Sequence, residues 1–123
     1  MRRAAVLSSL LRGTALAAAI NSSDKRRLAW VGVYPLDLNK PTTREFLRTQ
    51  GIDIFPPTGR GYRIRTFEVQ RRLIEEDVSI GESDLENTSS KVVFDDEGLL
   101  RALEAQGVDV ESLELPGSSD YPI

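Results

Sequence analysis

Cysteine and histidine are both absent from this chain of 123 residues. Without cysteine, the chain can form neither a disulfide nor a thiolate–metal site, and it suits a reducing compartment such as the cytoplasm. Without histidine, it lacks the commonest general base and a common ligand of transition metals. Catalytic triads of the Ser-His-Asp type are therefore excluded within the chain. The sequence predicts a non-catalytic protein with no cofactor and no metal site.

Long apolar runs are missing as well, and no stretch approaches the ~20 residues of a membrane-spanning helix. We therefore expect no membrane partner. The most apolar segment is residues 1–20, in which Arg12 interrupts runs of alanine and leucine. Apolar side chains within residues 3–20 recur at helical spacing, which predicts an amphipathic helix. The alternative is a cleaved secretory signal, because a positive N-terminus and small residues at 17–19 are typical of one.

The pattern of the whole chain predicts one α+β domain over residues 1–123. The length is typical of a single domain, and 40% hydrophobic residues are enough for one core. We expect about three helices and a small mixed sheet of about four strands. The predicted helices span 3–20, 43–50 and 96–106, and the predicted strands span 28–34, 62–69, 91–94 and 108–115. Residues 79–90 are predicted to be a loop, and 116–123 a tail.

Two local features refine the central strands. Trp30, the only tryptophan, lies in the first of them and is predicted to be a core residue, with an interface anchor as the alternative. In the second, the alternation of apolar and polar residues slips near Phe67, which predicts a bulge or a change of face there. Residues 70–77 fit either a continuation of that strand or a helical turn.

The distribution of charge is the most informative feature of the chain. Residues 1–72 carry fourteen basic and five acidic side chains, a net charge of +9, whereas residues 73–123 carry two and fourteen, a net charge of −12. If the two halves interleave, the charges neutralise one another in surface pairs worth up to about 1 kcal/mol each. If the acidic residues gather on one side, that side would attract a basic protein surface and speed association.

The second arrangement predicts an acidic contact face for a partner such as a nuclease, whose surface is basic because it binds phosphates. The acidic residues that lie close together in sequence and would form this face are Glu75, Glu76, Asp77, Glu82, Asp84, Glu86, Asp95 and Asp96. Tyr34, at the end of the first central strand, is predicted to be an exposed anchor of the same interface.

The arginines between residues 60 and 72 support an alternative function. Basic and aromatic side chains are mixed in this stretch: Arg60, Tyr62, Arg63, Arg65, Phe67, Arg71 and Arg72. Such a mixture on a strand can follow a phosphate backbone and stack bases. The alternative is therefore an RNA-binding protein, or a ribonuclease that works without histidine. The net charge of −3 argues against nucleic acid as the main ligand.

The last third of the chain carries the run FDDEGLL at residues 94–100, a helix after it, and the ending LELPGSSDYPI at residues 113–123. These features resemble the immunity proteins of bacterial contact-dependent growth inhibition and related polymorphic toxin systems. The resemblance covers roughly residues 91–123 and does not extend to the long N-terminal helix predicted above. It implies a cytoplasmic protein that binds and neutralises one cognate toxin, often a nuclease. It does not imply one architecture, because these families share a task more than a fold.

Overall fold

Two long antiparallel strands form the centre of the fold. The structure is a computed structural model that describes residues 1–118 and 120–123. Its strands are, in their order across the sheet, β1 (Leu16–Ile20), β2 (Arg27–Asp37), β3 (Arg60–Gln70) and β4 (Glu86–Val93). Its α-helices are α1 (Arg3–Leu11), α2 (Pro41–Thr49), α3 (Arg71–Glu75) and α4 (Asp96–Ala105). The predicted α+β class is confirmed, although all three strand pairings in the described sheet are antiparallel instead of mixed.

Helices α1 and α4 cover the first face of the sheet and enclose the main core. Val6 and Leu10 on α1 and Leu99 and Leu103 on α4 are at most 1% exposed. Each pair is four residues apart, so both side chains lie on the same side of their helix. They belong to one cluster with sheet residues that alternate along the strands, namely Leu16, Ala18, Val31, Val33, Tyr62 and Ile64.

A smaller apolar cluster lies on the second face of the sheet. Trp30, Phe67 and Val69 form it, and Leu73 and Ile74 of α3 pack against it. Trp30 is 3% exposed, so its prediction as a core residue is confirmed. Because both faces of β2 are covered at this level, the strand is a continuous apolar run without alternation.

The same cluster explains the slip in the pattern near Phe67. Residues before it contribute apolar side chains to the first face, whereas Phe67 and Val69 contribute theirs to the second. The pairing of β3 with β4 also shifts register between Thr66 and Glu68, where a bulge was one of the two predictions. Residues 71–75 form a helix, which decides between the two alternatives for that segment.

The predicted helix over residues 3–20 is wrong beyond Leu11. Gly13 follows the helix with φ of 89°, a left-handed conformation that ends it and that glycine adopts without steric cost. Residues 16–20 are then rich in alanine, yet they pair with β2 along their whole length. Leu16 and Ala17 are at most 1% exposed, so tertiary packing outweighs the helical preference of alanine here.

Two further predictions fail in the C-terminal half. The loop predicted over residues 79–90 includes the start of β4 at Glu86, because strand pairing with β3 overrides a polar sequence of Asn, Thr and Ser. The strand predicted over residues 108–115 is instead a short 3-10 helix, Val110–Ser112, followed by a single bridge between Glu114 and Ala17. Its valines pack into the core under α1 and α4 without forming a ladder.

Candidate functional site

Two of the predicted acidic contact residues are paired with arginines of the basic half. Both side-chain oxygens of Glu82 accept hydrogen bonds from the guanidinium of Arg65, one of them at 3.1 Å from Nη1. Glu86 accepts one from Nε of Arg27 at 3.0 Å. The hydrogen bond from Arg65 lowers the pKa of Glu82 below its usual range. At these two positions the charges of the two halves therefore neutralise each other.

Three more of these acids hold the backbone or a buried hydroxyl group. Asp84 accepts a hydrogen bond from the backbone nitrogen of Gly81 at 2.9 Å. Asp95 is the N-cap of α4 and accepts from the nitrogen of Gly98, the usual role of aspartate at this position. Asp96 accepts from the hydroxyl of Tyr62, and burial followed by this bond raises the pKa of Tyr62 above its usual value. These carboxylates have structural partners already.

The remaining predicted acids, Glu75, Glu76 and Asp77, follow one another at the end of α3. All three are exposed, and their carboxylates form no ion pair or hydrogen bond with any residue that the structure describes. A partner can therefore approach them without first breaking an internal contact. We call residues 75–77 the acidic turn.

The predicted acidic face is divided between the two ends of the sheet. Asp96 is bonded to Tyr62 near the start of β3, whereas the acidic turn follows Gln70 at its end. Tyr62 and Gln70 are eight positions apart along the strand, a distance of about 27 Å. Asp95 and Asp96 therefore do not form one compact surface with the acidic turn.

Tyr34 lies in a different cluster, on the second face of the sheet. Its hydroxyl is hydrogen-bonded to that of Tyr121 from the C-terminal segment. Arg63 stands directly opposite Tyr34 in the register of β2 and β3, and Arg65 stands two residues further along β3. We call Tyr34, Arg63, Arg65, Glu82 and Tyr121 the tyrosine–arginine patch. It brings together two of the predicted contact residues, Tyr34 and Glu82.

The arginines of the patch are held in place by neighbouring groups. Nε of Arg63 donates a hydrogen bond to Oγ of Ser90 at 3.1 Å, and its guanidinium lies 5.4 Å from the ring centre of Phe46 on α2. The guanidinium of Arg65 lies 5.7 Å from the ring centre of Phe67. Its hydrogen bond to Glu82 is the main cause that raises the pKa of Arg65 above its ordinary value. Both cations are therefore oriented before any partner binds, and Arg63 remains half-buried at the surface.

Tyr121 reaches the patch because the chain crosses the edge of the sheet. The Glu114–Ala17 bridge attaches the C-terminal segment to β1, and its two backbone hydrogen bonds measure 2.8 and 2.9 Å. The ring of Tyr121 then contacts that of Phe67, with centroids 5.4 Å apart. Burial and the bond to Tyr34 raise the pKa of Tyr121 above its usual value.

Gly32 makes room for Tyr121 on the sheet. A Cβ atom at this position would lie 3.0 Å from Cζ of Tyr121 and closer still to its hydroxyl oxygen. It would also lie 3.0 Å from a ring carbon of Tyr34. The residue opposite Gly32 on β1 is Ala17, another small side chain. The absence of a side chain at Gly32 therefore leaves the space that the Tyr121 hydroxyl occupies.

The arginines of the predicted basic strand are divided between β3 and the start of α3. Arg63 and Arg65 belong to the tyrosine–arginine patch, whereas Tyr62 points to the main core on the opposite face. Arg71 and Arg72 lie beyond the strand, at the start of α3. Of the two aromatic residues in this stretch, Tyr62 is turned away from Arg63 and Arg65, whereas Phe67 lies on their face of the sheet.

Sequence reasoning missed the part that Tyr121 and Gly32 play in this cluster. Tyr121 lies in the C-terminal run that carries the resemblance, but no local sequence signal indicates that it packs against a residue 89 positions earlier.

Comparison of the chain with protein-family models, with curated proteins and with solved structures finds no match. Among the described residues, no helix is long and apolar enough to cross a bilayer.

Proposed function

We propose that the chain is a non-catalytic immunity protein that binds and neutralises a cognate toxin on the second face of its sheet. The observation that carries the proposal is the contact between Tyr34, the predicted anchor, and Tyr121, which belongs to the terminal run resembling immunity proteins. The same face carries Glu82, another predicted contact residue. Such a toxin acts inside the cell, so we place the protein in the cytoplasm.

The side chains of the patch suit a protein interface. Tyrosine and arginine are enriched among the residues that dominate binding energy. Tyrosine buries a large area with few rotatable bonds to fix, and the planar guanidinium of arginine donates several hydrogen bonds. Tyr34, Arg63 and Tyr121 are all half-buried. Their existing contacts reduce the entropy lost when a partner orders them.

The acidic turn adds exposed negative charge beside the proposed surface, at a point where a basic partner could contact it. Its three carboxylates are exposed at the end of α3, and the chain from Val78 to Gly81 connects it to Glu82 of the patch. Unpaired surface charge of one sign raises the rate of association with an oppositely charged surface and rejects acidic competitors. A nuclease toxin presents such a basic surface because it binds phosphates.

The proposal predicts that the genome encodes a large secreted protein with a toxin domain at its C-terminus directly beside this chain. We expect co-expression of the chain to protect cells from that domain.

Tyr34→Ala should weaken binding by about 2 kcal/mol, roughly thirtyfold, as for an interface anchor. Glu76→Lys should mainly slow association. Surface plasmon resonance with the purified toxin domain measures both effects.

Glu104→Lys is the matched control, because Glu104 is an exposed acid on α4, over the opposite face of the sheet. It changes the net charge as Glu76→Lys does. Circular dichroism must show that each variant is folded. The proposal fails if the folded Tyr34 and Glu76 variants bind and protect as the unmodified chain does, or if Glu104→Lys has the same effect.

A further inference from the structure

Two basic runs that are distant in sequence meet at one end of the sheet. Arg27 begins β2 and pairs with Gln70 at the end of β3, so the residues just before Arg27 and just after Gln70 become neighbours. A surface cavity of about 500 Å³ lies between them. Its lining consists of Lys25, Arg26, Arg27, Gln70, Arg71, Arg72 and Glu75. We call this cavity the basic cleft.

Hydrogen bonds within the chain fix the two arginines that begin α3. The backbone nitrogen of Arg71 donates to the carbonyl of Arg26 at 2.7 Å, and its Nε donates to the carbonyl of Lys25 at 3.0 Å. Nε of Arg72 donates to the side-chain oxygen of Gln70 at 2.9 Å. Both guanidinium groups are thus held through Nε, which leaves their terminal nitrogens to donate to a ligand.

Four of the five cations in the lining lack a carboxylate partner. Arg27 is neutralised by Asp24 and Glu86. Lys25, Arg26, Arg71 and Arg72 form no ion pair with any part of the chain that the structure describes. Glu75 is the one acid in the cleft lining. Like charges held this close repel one another, and a polyanionic ligand would relieve that repulsion.

We infer that the basic cleft binds a ligand with adjacent phosphoryl groups. Arginine suits this role because its planar fork donates two parallel hydrogen bonds to phosphate oxygens. A cavity of about 500 Å³ is of the size that binds small ligands. Its lining contains no aromatic side chain on which a base could stack, so the cleft recognises the phosphates and not the base. This inference does not depend on the proposed function.

Two ligands distinguish the sources of such phosphates: inorganic tripolyphosphate for a free polyphosphate, and an oligouridylate for an RNA backbone. Isothermal titration calorimetry of the full chain at low salt measures both. We expect tripolyphosphate to bind, and the double variant Arg26→Gln, Arg72→Gln to weaken it at least about tenfold through the loss of two charge-assisted contacts. Affinity should fall as salt rises.

The matched control is Arg2→Gln, Arg3→Gln, which removes the same charge from the exposed start of α1, on the opposite face of the sheet from α3. It should leave affinity within about twofold. Competition by the oligouridylate for the same residues would support an RNA backbone as the ligand, and binding of tripolyphosphate alone would support a free polyphosphate. The inference is overturned if neither ligand binds, or if the control variant loses as much affinity as the cleft variant.

Discussion

Gly32→Val is expected to destabilise the fold by about 2–3 kcal/mol and to release Tyr121 from the sheet. The new Cβ alone would stand 3.0 Å from ring carbons of Tyr34 and Tyr121, and valine adds two methyl groups beyond it. The rings of Trp30 and Phe67 are buried and stacked on each other, so they cannot move aside. The C-terminal segment is therefore the part that is displaced. The cost is therefore close to the value of the lost tyrosine packing.

Urea unfolding with a double-mutant cycle tests this explanation. Tyr121→Ala alone should cost about 2 kcal/mol. Adding Gly32→Val to it should cost less than in the unmodified chain, because the clash with Tyr121 is gone and only the contact with Tyr34 remains. Gly117→Val is the matched control, since a Cβ at Gly117 meets no atom within 4 Å. If the Gly32 and Tyr121 effects add in full, the two residues do not compete for the same space.

Glu68→Ala is expected to cost about 2 kcal/mol, because it removes the charged acceptor of a part-buried hydrogen-bond network. The Glu68 residue is 7% exposed. Its carboxylate accepts bonds from the backbone nitrogen of Ser23, from Oγ of Ser23 at 2.8 Å, and from the side-chain amide of Asn87. The network joins the turn before β2 to the irregular pairing of β3 and β4. Ser23 and Asn87 are exposed, so water replaces the lost acceptor in part, and thermal or urea unfolding measures the loss.

The same network predicts how stability depends on pH. Burial raises the pKa of Glu68, but the hydrogen bonds from Ser23 and Asn87, with the charge of Arg27, lower it by more, so the net pKa lies below its usual value. Because the pKa of Glu68 is lower in the folded chain, its ionised carboxylate stabilises the fold fully above the pKa of the unfolded chain, about 4.3. The stabilisation is lost as the pH falls through the pKa of the folded chain. Glu68→Gln should therefore flatten the acid limb of the stability curve. An unchanged acid limb would mean that Glu68 does not titrate with folding, and Glu104→Gln, at an exposed site, serves as the control.

Local sequence signals predicted the elements in which the pattern of apolar residues alone indicates the secondary structure. The apolar runs of β2 and β3 and the leucine spacing of α4 needed no knowledge of distant partners. By contrast, β1 contains Ala17 and Ala18, for which a helix is the local preference, and only pairing with β2 makes it a strand. The polar start of β4 depends on β3 in the same way.

The residues of the candidate site likewise differ in whether the sequence alone predicts them. Tyr34 was predicted as an anchor because an aromatic residue at the end of a strand is conspicuous in the sequence. Its partner Tyr121 and the space above Gly32 could not be predicted, because they depend on how the C-terminal segment crosses β1. The acidic residues were predicted as one face from their closeness in sequence, but the length of β3 separates Asp96 from the acidic turn. The sum of charges carried no information about which carboxylates have internal partners.

The central claim is that the second face of the sheet is a protein-binding surface. Chemical-shift mapping by NMR tests it most directly, with the labelled chain titrated by the toxin domain that the proposed function predicts beside it. We predict that the largest changes fall on Tyr34, Arg63, Glu76 and Tyr121. Changes confined to residues 95–97 and the outer side of α4, with the tyrosine–arginine patch unaffected, would contradict the account.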